Sequence, residues 1–63
     1  MKGGNMVADV EVYEGGQYIK TEKMKLRVVK EFSEAIIYEN EQGSAVVFFR
    51  KDEKYIMVSI DMA

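Results

Sequence analysis

A chain of 63 residues has room for one domain, and it buries only about 60% of the surface its unfolded form exposes, so its core is thin. Cys and His are both absent, which excludes disulfides, thiolate chemistry, the commonest zinc ligand and the commonest general base. Lys+Arg 9 against Asp+Glu 11, a formal charge of -2, make a mixed surface that predicts neither strong attraction to nucleic acid nor mimicry of a polyanion.

Residues 1–5 read as a flexible lead to a single domain over 6–63, because Gly3 and Gly4 carry backbone entropy and no side chain to pack. The stretch "VADVEVYEGGQYIKTE" reads as a hairpin. Gly15-Gly16 suits the two positive φ values of a type I′ turn, with Val12 facing Ile19 and Glu11 facing Lys20. In "KMKLRVV", Met24, Leu26 and Val28 alternate with Lys23, Lys25 and Arg27, the pattern of a half-buried strand. Continuing the hairpin's register would instead put Ile19, Thr21 and Lys23 inside. A bulge or bend between Thr21 and Met24 reconciles the two. The rival reading is a helix over about 21–35, on the stripe Met24, Val28, Phe32, with Leu26 pointing away from it.

A turn near Glu31 to Glu34 leads into a three-stranded meander, Ala35–Glu39, Ser44–Arg50 and Tyr55–Asp61. Its turns are Asn40 to Gly43 and the charged run "RKDEK". The fold expected is all-β, a small bent antiparallel sheet or open barrel of five to six short strands. Its size and meander resemble SH3-like small barrels, a likeness of architecture that carries no functional residues. The alternative is α+β, one helix at about 21–35 packed on an antiparallel sheet.

The meander does not alternate apolar and polar residues. One register puts Ile36, Tyr38, Ala45, Val47, Phe49, Ile56, Val58 and Ile60 on a first face, read as the core. The second face then carries Ala35, Ile37, Val46, Phe48, Tyr55 and Met57, followed by Ser59 and Asp61. An apolar centre with polar ends is the pattern of a contact surface. Ile37, Val46, Phe48, Tyr55 and Met57 are therefore the candidate protein interface. Small folds usually add a staple, and with Cys and His missing the one left is another chain, most simply a symmetric dimer. Curling of the chain into a barrel, cover by the N-terminal hairpin and middle segment, and a well-packed monomer are the plain alternatives.

The cations Lys20, Lys23, Lys25 and Arg27 form the sharpest charge feature. On a strand, Lys23, Lys25 and Arg27 stand ~7 Å apart, near the phosphate spacing of a single strand, and Tyr13 and Tyr18 offer rings for bases. Lys on an outward strand is also ordinary protection against edge pairing, and Asp9, Glu11 and Glu14 are placed to neutralise the row. The carboxylate pairs Glu39/Glu41 and Asp52/Glu53 fall in solvated turns, and Ser33, Ser44 and Ser59 have no His to activate them. No catalytic residue, metal ligand or cofactor is expected. No apolar run approaches the ~18 residues of a membrane span, and the N-terminus lacks a secretion signal, so a cytoplasmic protein is expected. The sequence thus points to a non-enzymatic interaction module. It would self-associate through an apolar sheet face and bind a cellular protein as an accessory or inhibitory factor. The alternative is a single-stranded nucleic-acid binder using its basic strand.

Overall fold

The structure, a computed structural model, describes residues 5–59. The expected lead lies outside the described residues except for Asn5, and so do Ile60 and Asp61. Five strands follow in chain order: β1 (Asn5–Glu14), β2 (Gln17–Glu31), β3 (Ala35–Asn40), β4 (Ala45–Phe49) and β5 (Lys54–Ser59). Each pairs antiparallel with the next, and β5 returns to β1 to close a barrel. A meander reverses direction at every turn, so its fifth strand runs the same way as its first. The closing ladder, Val10↔Tyr55 to Glu14↔Ser59, is therefore parallel. The fold is all-β and consistent with an SH3-like small barrel, with no helix among the described residues.

The helix alternative over 21–35 is corrected by β2, which is extended through Glu31. Leu26, off the helical stripe, is 1% exposed, whereas Val28 and Phe32, on it, are 45% and 52% exposed. The strand's period of two places Met24 and Leu26 inside. β2 pairs with β1 from Gln17 to Arg27 and with β3 only from Leu26 to Glu31, so one long strand serves two neighbours in succession.

Two bulges reconcile its register. Val12 faces Lys20 while Tyr13 faces Tyr18, which leaves Ile19 as the extra residue; Val28 faces Tyr38 while Lys30 faces Ile37, which leaves Val29. The slip expected between Thr21 and Met24 thus comes at Ile19. The expected pairs Val12/Ile19 and Glu11/Lys20 are replaced by Val12/Lys20 and Glu11/Thr21. The Gly15-Gly16 turn has φ of 59° and 80°, as a type I′ turn requires.

The interior centres on Val10, Leu26, Tyr38 and Val46, with Met6, Ala8, Met24, Ile36, Phe48, Tyr55 and Met57 packed against them. Aromatic rings fill one side of it: the Tyr55 ring lies 4.6 Å from Phe48 and 5.7 Å from Tyr38, centroid to centroid.

This interior corrects the expected assignment of faces. Asn40 bonds to Ser44 across the β3–β4 turn, so the loop proper is Glu41 to Gly43, one residue shorter than the expected turn, and Tyr38 faces Val46 and Ile37 faces Val47. Asn40 holds it: its backbone N–H donates to the Ser44 carbonyl (2.9 Å), and its Oδ1 accepts from the backbone N–H groups of Gln42 and Ser44 (both 2.9 Å). A slip of one residue turns every side chain of a strand to the opposite side. Val46, Phe48, Tyr55 and Met57 therefore join Ile36 and Tyr38 inside. Val47, Phe49, Ile56 and Val58, expected in the core, stand outside with Ala35 and Ile37.

Candidate interaction surface

The outward face carries an apolar strip in register across the barrel. Ile37 faces Val47, and Val47 faces Ile56. The row ends in charge on both sides, at Lys30 opposite Ile37 and at Glu11 opposite Ile56. Phe49 lies beyond one side of the row and Val58 beyond the other, 43% and 61% exposed. Phe49, Ile56 and Val58 form the apolar wall of a groove of about 440 Å3, with Tyr13, Gly16, Asp52 and Lys54 as its other lining residues.

Tyr13 is fixed at the edge of this groove. Its hydroxyl donates to Glu11 Oε1 (3.1 Å), and its ring meets Tyr18 edge-on at 5.8 Å. The bond to the Glu11 carboxylate, then partial burial, the Glu11 charge and Tyr18 raise the pKa of Tyr13, so it remains a neutral donor.

The structure separates the five expected interface residues. Val46 is fully enclosed, and Phe48, Tyr55 and Met57 pack against the core. Ile37 alone stands on the outer face. The residues that take the outer face in their place, Val47, Phe49, Ile56 and Val58, had a signal in the sequence: a Gly in the left-handed region is the mark of a three-residue hairpin loop, and Gly43 has φ 84°.

The basic series is divided and neutralised. The bulge at Ile19 leaves Lys20 on the same side of β2 as Met24 and Leu26, where it pairs with Glu22 at 3.3 Å. Lys23, Lys25 and Arg27 do share the outer face. Lys23 pairs with Asp9 (3.2 Å), Lys25 with Glu41 (3.8 Å), and Arg27 with Glu39, its direct cross-strand neighbour. Glu39 and Glu41 are thereby each engaged by a cation. Among the described residues, no group of three or more acidic side chains is placed to hold a metal ion, and no helix is long and apolar enough to cross a membrane. Compared with known proteins, the chain matches no family model, no curated protein and no solved structure.

Proposed function

We propose that the chain is a non-enzymatic protein-interaction module of the cytoplasm, an accessory or inhibitory factor whose outer strip takes an extended apolar segment of another protein. The observation that carries this is the row Ile37–Val47–Ile56, flanked by the exposed Phe49 and Val58. The interior is complete without these side chains. Ile37, Val47 and Ile56 are already half-buried, but Phe49 and Val58 stand largely in water, and at ~25 cal/mol per Å2 covering what remains exposed would add stabilisation that a domain this small needs. The rim carries both signs of charge, Lys30 and Lys54 with Glu11 and Asp52, which suits a segment of mixed charge around apolar anchors.

Selection of peptides from a random display library on the immobilised protein tests this. Recovered peptides should carry apolar or aromatic anchors and shift the NMR methyl signals of Val47, Ile56 and Val58. Their affinity should fall at least ~tenfold for the double variant Phe49→Glu, Val58→Glu, whose fold is checked by circular dichroism. Peptides that bind both proteins equally, or no enrichment at all, would overturn the proposal. Single-stranded nucleic acid is the second reading, on the shared face of Lys23, Lys25 and Arg27. Carboxylates already hold all three, and a low-salt gel shift with no retarded band eliminates it.

A further inference from the structure

The barrel closes with a step left in its wall. β3 reaches only as far along β2 as Leu26, so among the described residues the backbone of 17–25 pairs with β1 on one side and with no strand on the other. Residues 17–23 are exposed, including Tyr18 (54%) and Ile19 (49%). Such an edge is a template for another strand. Lysines commonly guard an edge of this kind, but their placement here selects an occupant.

We infer that this edge pairs antiparallel with the same edge of a second copy, around a two-fold axis through Thr21. In that register Thr21 faces Thr21, and Lys20 of each chain faces Glu22 of the other. The interface gains two opposite-charge pairs, directly across from one another, beside the Lys20–Glu22 pairs within each chain. Beyond Lys20 the bulge at Ile19 interrupts the regular ladder, and the residues brought near Lys23 and Lys25 there are the uncharged Gln17, Tyr18 and Ile19, so no like charges are opposed. Shifted axes lose this. An axis through Lys20 or through Glu22 sets that residue against its own copy, and one between Thr21 and Glu22 sets Lys20 against Lys23. The sequence of the edge is thus self-complementary in one register, as a two-fold interface requires. The contact is short, and it makes a weak dimer that presents two outer strips, one on each subunit.

Charge reversal in trans tests the pairing. In sedimentation equilibrium at low salt the wild type should dimerise with rising concentration. Lys20→Glu and Glu22→Lys should each weaken self-association roughly tenfold or more, because every such dimer opposes like charges twice. An equimolar mixture of the two variants should recover dimers, because position 20 of each then faces position 22 of the other with opposite sign. Neither variant keeps the pair within its own chain, so recovery reports the register and not the fold. A Thr21→Cys chain, with no other thiol, should oxidise to a covalent dimer faster than a Lys51→Cys control. A wild type that stays monomeric at millimolar concentration, a mixture that stays as monomeric as its components, or equal crosslinking at positions 21 and 51 would each overturn the inference. Peptide binding at the outer strip is read separately, and its failure would leave these results unchanged.

Discussion

Leu26, Val10 and Val46 are the largest side chains fully enclosed among the described residues, and they come from three different strands. Removing part of one leaves a void that the closed wall cannot collapse around. Leu26→Ala should cost roughly 2–5 kcal/mol. Against the roughly 3–9 kcal/mol expected of a domain this size, that is a large share of the stability, and thermal circular dichroism should show a midpoint lowered by about ten degrees or more. Val58→Ala, on the outside, should move the midpoint little. Tyr38 is the buried titratable side chain among the described residues, 5% exposed. Burial first, then the neighbouring Tyr55, and Glu31 more weakly, raise its pKa above the usual 10.0, with Arg50 pulling the other way. A folded-state pKa above the unfolded one means that the native chain binds the extra proton. Its contribution is therefore complete below pH ~10 and lost as pH rises through the folded value. The urea midpoint should fall above about pH 10, and Tyr38→Phe should flatten that fall.

At the scale of the strand pair, the β3–β4 loop decides which half of the meander faces inward. Asn40→Ala removes the acceptor shared by two loop N–H groups and should cost about 1–3 kcal/mol. Gly43→Ala should cost about 1–2 kcal/mol at φ 84° although space is open around it, because the strain lies in the backbone. Chemical denaturation of each variant measures both. These residues also explain what the sequence made legible. The two glycine turns, the three strands of the meander and the pairing of β4 with β5 follow from turn chemistry and β-propensity. The inward side of β4 and β5 did not, because both are apolar on both sides and one residue of loop length decides between them. Of the five residues expected at an interface, Val46, Phe48, Tyr55 and Met57 therefore point inward, and only Ile37 stands on the outer face. The bulge at Ile19 was legible as a clash of parity but not as a position, since any residue near the turn would have resolved it.

At the scale of the molecule, five ion pairs tie side chains among the described residues, and all are formed by partly or well exposed groups. Exposed pairs of this kind often contribute only a few tenths of a kcal/mol each, so the stability of the monomer should fall by about 1–2 kcal/mol at most between 0.05 M and 1 M salt, whereas edge pairing should weaken markedly over the same range. Interior packing and hydrogen-bonded closure hold the fold.

The parallel seam between β1 and β5 has a mechanical consequence. Tension applied through Asn5 and Ser59 drags these two strands past each other lengthwise, so the ladder from Val10↔Tyr55 to Glu14↔Ser59 is sheared as a unit. A hairpin pulled at its open end instead unzips one bond after another. The barrel should therefore resist stretching from its ends more strongly than its modest free energy of folding suggests.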